Sequence, residues 1–274
     1  MSLKSKLRVV GLTDTGKVRE HNEDSISGDA DSGLLVLADG MGGYKAGEVA
    51  SGLAVKTIVG LVREQMQLQD LSANDRHSGL SRASIILRDA IQRANSIIYH
   101  TARSQPQCEG MGTTVVAALF FDNKVTIAHV GDSRLYRLRG AQFERVTMDH
   151  SLLQELVDRG LYSAEEAQRA ANKNYVTRAL GVEASVEVEI RETPAHKGEV
   201  YMLCSDGLSD MVEDEDIHLT ISTFGANLDN VARQLIQLAN DNGGRDNISV
   251  VMAHVLDAFP ARTRMRDRIR DWFN

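Results

Sequence analysis

Cysteine, proline and tryptophan are the scarce residues of this chain, and each scarcity excludes something. Two cysteines, Cys108 and Cys204, cannot build a disulfide framework, and their spacing is not that of a zinc site, so a reducing, cytoplasmic setting is expected. With 3 prolines and no stretch rich in Pro, Gly and Ser, nothing divides the 274 residues, and one domain is expected over 1–257. No apolar run approaches the roughly 18 residues of a membrane helix and no signal-peptide core is present, so neither a transmembrane segment nor export is expected. A basic excess is missing too. The net charge is −7, which argues against nucleic acid as a partner. What remains is ordinary: 42% hydrophobic and 25% charged residues, sufficient to bury a core.

Apolar, β-branched runs predict strands over 7–12, 34–38, 113–121, 124–130, 134–138, 186–191, 200–204 and 248–255. Asp122-Asn123 and Arg139-Gly140 fall between successive runs where hairpin turns belong, which favours antiparallel pairing. Apolar residues at three- and four-residue spacing predict long helices over 46–67 and 80–102, with a polar loop at 68–79. Shorter helices are predicted over 152–160, 164–171 and 228–240; Ser163 with Glu166 three residues on has the pattern of a capping box. Strands in runs with helices clustered between them indicate an α+β layered fold, not a βαβ repeat. The C-terminal tail, 258–274, stands apart. Arg262, Arg264, Arg266, Arg268 and Arg270 surround Met265, Ile269, Trp272 and Phe273, which share one helical face. This basic amphipathic segment reads either as a terminal helix or linker stub, or as an element for an acidic membrane surface or partner.

The acids carry the chemistry. Three times an apolar strand ends at an aspartate beside glycine: Asp39-Gly40 after 34–38, Gly131-Asp132 after 124–130, and Asp206-Gly207 after 200–204. Glu23-Asp24 and Asp246 flank further strands. If the strand ends converge, these carboxylates repel one another unless protonated or neutralised by cations. Oxygen-only donors select hard ions such as Mg²⁺ or Mn²⁺, and no CxxC or HExxH pattern points to zinc. Glycine beside each aspartate lets the backbone approach closely.

Competing chemistries fit less well. Residues 11–17, GLTDTGK, match a phosphate-loop pattern, but Val18 stands where a magnesium-holding Ser or Thr belongs. Asp149-His150-Ser151 contains triad residue types, yet adjacent residues cannot form a relay and a turn with an N-cap is expected. Cys204 lacks the arginine of a Cys-x5-Arg loop, since position 210 is Asp210. None of the eight histidines has metal-type spacing with another.

Seven motifs in order complete the picture: Arg19-Glu20-His21-Asn22-Glu23-Asp24, Ala38-Asp39-Gly40-Met41-Gly42-Gly43, Gly112-Thr113-Thr114, Gly131-Asp132-Ser133-Arg134, Thr177-Arg178-Ala179-Leu180-Gly181, Ser205-Asp206-Gly207-Leu208 and Asp246-Asn247-Ile248-Ser249. Together, over about residues 7–256, they resemble the metal-dependent serine/threonine protein phosphatases, the protein phosphatase 2C family, in its compact bacterial form.

The resemblance implies a four-layer α-β-β-α sandwich, two antiparallel sheets flanked by helices, with a metal centre at one sheet edge. It implies that Asp39 bridges two Mn²⁺ or Mg²⁺ ions with the Gly40 carbonyl on one of them, and that Asp206 and Asp246 complete the other. Asp24 would act mostly through metal-bound water with Glu23 assisting, Asp132 with Asp206 would hold a weaker third ion, and Arg19 would grip the substrate phosphate. The implied reaction is hydrolysis of phosphoserine or phosphothreonine by in-line attack of a metal-bridging water or hydroxide, without a phosphoenzyme. The implied partners are phosphorylated proteins and a cognate bacterial serine/threonine kinase, the protein acting as a monomer. By position, Asp149–Asn174 matches the family's flap. Two departures stand out: Tyr44 follows DGMGG where bacterial relatives have histidine, and Ala170-Ala171 replace the flap's His-Pro. The alternative is a non-catalytic, phosphoprotein-binding relative, but a pseudoenzyme should have lost an acid, and all are present.

Overall fold

The computed structural model describes residues 2–43, 46–163, 166, 175–225 and 227–260. Tyr44, Ala170-Ala171, Asn174, the predicted helix 164–171 apart from Glu166, and the arginine tail at 261–274 lie outside the described residues. The strands are β1 (Leu7–Asp14), β2 (Asp24–Asp29), β3 (Leu34–Met41), β4 (Gly112–Thr113), β5 (Val115–Phe121), β6 (Lys124–Val130), β7 (Arg134–Arg139), β8 (Gln142–Arg145), β9 (Glu189–Pro194), β10 (Val200–Cys204) and β11 (Ile248–Val255). Five helices accompany them among the described residues: α1 (Ala46–Leu68), α2 (Arg82–Ser104), α3 (Leu152–Asp158), α4 (Asp214–Phe224) and α5 (Leu228–Asp241), with single helical turns at Pro106–Cys108 and Asp206–Ser209.

One sheet runs β1-β11-β10-β7-β8 and the other β2-β3-β5-β6-β9, with β4 also on β3, and the pairing is antiparallel throughout. Strand parity decides which side chain goes where. Leu35, Leu37, Val116, Ala118 and Phe120 meet Leu135, Tyr201, Leu203, Val251 and Ala253 between the sheets. Their neighbours Leu34, Val36, Ala38, Val115, Ala117 and Leu119 pack outward with Ala50, Ala54, Ile58, Leu87 and Ile91 of α1 and α2. On the opposite side Met202, Cys204, Val250 and Met252 pack with Ile217, Val231, Leu235 and Ala239 of α4 and α5. The result is α-β-β-α. Because both faces of the central strands are covered, their sequences are continuously apolar, and each fully buried large side chain stabilises by about 1.5–3 kcal/mol.

The turns follow the chemistry of their residues. Asp122 and Asn123 hold φ of 43° and 55°, the left-handed pair required by a tight β5–β6 hairpin. Ser163 and Glu166 form the predicted capping box: each backbone N–H donates to the other's side chain, at 2.8 and 3.2 Å. Ser151 caps α3, accepting from Gln154 N–H at 3.2 Å.

The structure differs from expectation in three places. The run 113–121 is divided at Thr114, where the Asp39 amide donates to the threonine hydroxyl (3.2 Å) in place of a ladder carbonyl. The strand predicted at 186–191 begins at Glu189, the residue that pairs with His129 near the end of β6, and runs to Pro194. Finally, β2, β8 and α4 carry too few apolar residues, in too irregular a pattern, to be predicted.

Candidate metal centre

Antiparallel pairing brings the acidic strand ends together. In one sheet the start of β2 lies against the end of β3, so Asp24 is paired directly with Asp39. In the other, the end of β10 lies against the start of β11, which carries Asp206 on the turn after β10 next to Asp246 just ahead of β11. Asp132 follows β6, and its loop is tied to the Asp39 strand through Ser133 and Thr114, whose hydroxyls are 2.7 Å apart. The strands cross closely here. A Cβ on Gly40 would stand 2.2 Å from Gly47 O and 2.6 Å from Glu23 O, and one on Gly207 would stand 2.0 Å from Asn247 O. The glycines beside these aspartates therefore admit backbone, not merely a turn.

The electrostatics are those of crowded like charges. Asp24 is 8% exposed; its Oδ2 accepts from the Ser205 hydroxyl at 2.9 Å, while its Oδ1 is buried without a hydrogen-bond partner. Burial pushes its carboxyl up to about 7, with hydrogen bonds from Ser249 and Ser205 opposing and the charge of Asp246 adding to the rise. Burial and then the neighbouring Asp149 raise Asp132 to about 6. Asp39 and Asp206 are held well above the usual carboxylate range, first by burial and then by the surrounding aspartates. Burial also raises Glu23. Against these acids stands Arg19, half-exposed, whose Nη2 donates to Asp246 Oδ2 at 2.6 Å. One guanidinium cannot neutralise the group. A buried carboxylate oxygen with no partner among all-oxygen donors fits a hard divalent cation, which would replace the missing protons.

The remaining sequence-predicted residues sit around this edge. Glu23 lies under α1, its carbonyl accepting from Gly40 N–H (3.1 Å) and the Ser51 hydroxyl (2.6 Å). Asp149 is taken up in ion pairs: Arg134 donates to both its oxygens at 2.8–3.1 Å, and Arg145 lies at 3.5 Å. A cavity of about 500 Å³ is lined by Asp132, Asp149 and Asp206, by α3 and by Glu213–Glu215.

Several supporting residues carried no role in the sequence reading although they lie inside its motifs: Thr114, Ser205 and Asn247 all hydrogen-bond within this edge. A second grouping gave no spacing signal at all. The β6–β9 register sets His129 opposite Glu189, and His150 stacks on His129 with ring centroids 4.6 Å apart. Three of their four ring nitrogens are engaged: His129 Nε2 with Met148 O (2.8 Å), His150 Nδ1 with Gly131 N–H (3.1 Å) and His150 Nε2 with Glu189 (3.3 Å). GLTDTGK is no phosphate cradle, since the amides of Gly16, Lys17 and Val18 already donate to Asp14 and to Gly244 O. Cys204 is buried and its thiol pushed up to about 12, which makes it a packing residue.

Two stacked antiparallel sheets meet at a common edge lined with carboxylates, an arrangement suited to divalent cations. Residues 16–252 match the family model described as protein phosphatase 2C, and the chain belongs to that family. It is 40% identical over 252 residues to the serine/threonine protein phosphatase PstP of Mycobacterium tuberculosis, covering 92% of this chain and 45% of that protein, so it spans a little under half of that relative. It is 38% identical over 243 residues to the serine/threonine phosphatase stp of Listeria monocytogenes, covering 88% of this chain and 92% of that one. The catalytic domain of PstP, solved in complex with two manganese ions, superposes with a TM-score of 0.78 at 39% identity, covering 92% of this chain and 99% of that one.

Proposed function

We propose that this protein is a serine/threonine protein phosphatase whose carboxylate edge binds two divalent cations, Mn²⁺ or Mg²⁺, with Asp132 and Asp206 available to a weaker third. Asp39, Asp206 and Asp246 would be the principal ligands, with the Gly40 carbonyl, and Asp24 with Glu23 behind them. The observation that carries this is Asp24 Oδ1, buried and unpartnered beside Asp39. Cations bound there supply Lewis-acid polarisation of the phosphoryl group and a water acidic enough to act as nucleophile near neutral pH.

The chain's own residues do the rest. Arg19 offers its guanidinium to the phosphoryl oxygens, where a planar fork can donate two hydrogen bonds and offset the charge that builds on them. Ser205 fixes the Asp24 carboxylate by donating to Oδ2, and Oδ1 is left without a protein partner. Thr113 and Thr114 hold both backbone groups of Asp39, at 2.7–3.2 Å, which fixes the main chain from which this carboxylate projects. No protein nucleophile is required, and the buried Cys204 does not offer one. Phosphorylated proteins are the substrate class, and a serine/threonine kinase is the reaction that must supply them. A reducing, cytoplasmic setting suits the free thiols of Cys108 and Cys204; no described helix is long and apolar enough to cross a membrane.

The test is hydrolysis of p-nitrophenyl phosphate and of phosphothreonine peptides with Mn²⁺ and with EDTA. Turnover with Mn²⁺ that EDTA abolishes is expected, and metal-dependent activity surviving in Asp39→Ala would remove the site. Binding of phosphopeptides without turnover would instead favour the non-catalytic alternative.

A further inference from the structure

Asn247 is 5% exposed, and both ends of its amide are committed to one neighbouring loop. Its Oδ1 accepts from Glu23 N–H at 2.7 Å, and its Nδ2 donates to Thr15 O at 3.0 Å and His21 O at 2.9 Å. These three backbone groups bracket Arg19 on both sides in the chain. The adjoining Asp246 closes the circuit: its Oδ2 accepts from Arg19 Nη2 at 2.6 Å and its Oδ1 from the Asn247 backbone N–H at 2.8 Å. The Asn247 backbone carbonyl in turn lies 3.3 Å from the Ser205 hydroxyl that donates to Asp24. One residue thus joins the loop carrying Arg19, the Glu23-Asp24 pair and the turn carrying Asp206.

The chemistry of the side chain explains its place. Only a neutral amide offers an acceptor and two donors in one plane, and a carboxylate would set an anion against two carbonyl oxygens. A brace of this kind matters most for a long, half-exposed arginine, because a displacement of about 1 Å in a positioned group is able to cost about a hundredfold in rate.

Resting on the phosphatase reading above, we infer that Asn247 is a positioning residue for the substrate phosphate. It holds the loop 15–23 so that Arg19 is presented to the phosphoryl group, and it touches neither substrate nor cation itself.

The experiment uses the full chain and two variants. Asn247→Ala removes the whole amide; Asn247→Asp keeps an acceptor for Glu23 N–H and loses both donors. Thermal melting establishes that each is folded, and calorimetry then measures inorganic phosphate binding to the Mn²⁺-loaded protein beside KM and kcat for a phosphothreonine peptide. In both variants the phosphate Kd and the KM should rise at least about fivefold, with KM moving more than kcat. Arg19→Ala combined with Asn247→Ala should bind phosphate within about twofold of Arg19→Ala alone, because both changes act through one guanidinium. An unchanged phosphate Kd, multiplication of the two single effects, or failure of both variants to fold would overturn the inference. A wild-type protein that binds phosphate but hydrolyses nothing would sink the phosphatase reading instead, and the phosphate Kd would still decide the role of Asn247.

Discussion

Asp39 is at once half-buried, paired with Asp24 and surrounded by three further aspartates, and that combination gives one residue two opposite effects. Without a cation its charge is a liability, because each neighbouring carboxylate raises the cost of ionising it. With a cation, on the proposed function, the same charge would become the central ligand. Asp39→Asn keeps the shape and removes the charge, so two measurements should move in opposite directions. Mn²⁺-dependent hydrolysis of p-nitrophenyl phosphate should fall by at least about a thousandfold, in line with losing a major electrostatic contribution. In EDTA, however, the variant should melt no lower than the wild type. A variant that lost activity and also melted lower in EDTA would show Asp39 to be a packing residue. Arg19 gives a simpler contrast. Its fork is what distinguishes it from an ammonium, so Arg19→Lys should raise KM for a phosphopeptide by about tenfold or more while leaving the melting temperature in place, since the side chain is half-exposed.

At the scale of elements, the site depends on backbones crossing where a side chain would ordinarily stand. Gly207 sits against the Asn247 carbonyl and Gly40 against that of Gly47, with space for no methyl group. Gly207→Ala and Gly40→Ala should each destabilise by about 2 kcal/mol or more, read as a fall in denaturation midpoint, although alanine is otherwise the better helix and strand former. Gly43, beside which a Cβ would meet nothing within 4 Å, is the control and should tolerate alanine. The elements differ in how far the sequence announces them. The central strands β5, β6, β10 and β11 are legible because two covered faces demand apolar residues at every position. The convergence of the acids is legible for a different reason: one Asp-Gly is an ordinary turn, but three at the ends of apolar strands, with Glu23-Asp24 and Asp246 beside further strands, mark one sheet edge. An edge strand has no such constraint. β2, DSISGD, extends only because β3 pairs with it along its whole length, and its Gly28 admits Val9 of the facing sheet. In α4 only Ile217 and Ile221 are buried, too sparse a stripe to mark a helix. The His129–His150–Glu189 grouping was illegible because register and a returning loop assemble it, and neither is written in local spacing.

For the whole molecule, the consequence is a linkage between cation, proton and fold. In the metal-free protein Asp24 titrates at about 7 and Asp132 at about 6, whereas unfolded aspartate titrates near 3.9. The sign follows directly. A carboxyl whose folded pKa is raised contributes stability below its unfolded pKa, and that contribution is lost as pH rises through the folded value. Buried His150 and half-buried His254, whose pKa values are lowered, act the other way, but their contribution is complete once pH exceeds about 6.5. Between pH 6.5 and 8.5 the carboxylates are therefore left to decide the slope. In EDTA the melting temperature should fall over that window by several degrees, given about 2–4 °C per kcal/mol for a domain of this size. Asp24→Asn should flatten the slope without altering the histidines. With Mn²⁺ the slope should shrink or reverse, because the same deprotonated carboxylates that destabilise the free protein are the ones a cation binds, and binding to the folded state alone adds to its stability. Melting curves at three pH values, with EDTA and with Mn²⁺, check all of this at once. A metal-free protein whose melting temperature stayed level or rose from pH 6.5 to 8.5 would mean that its acids do not share one buried edge.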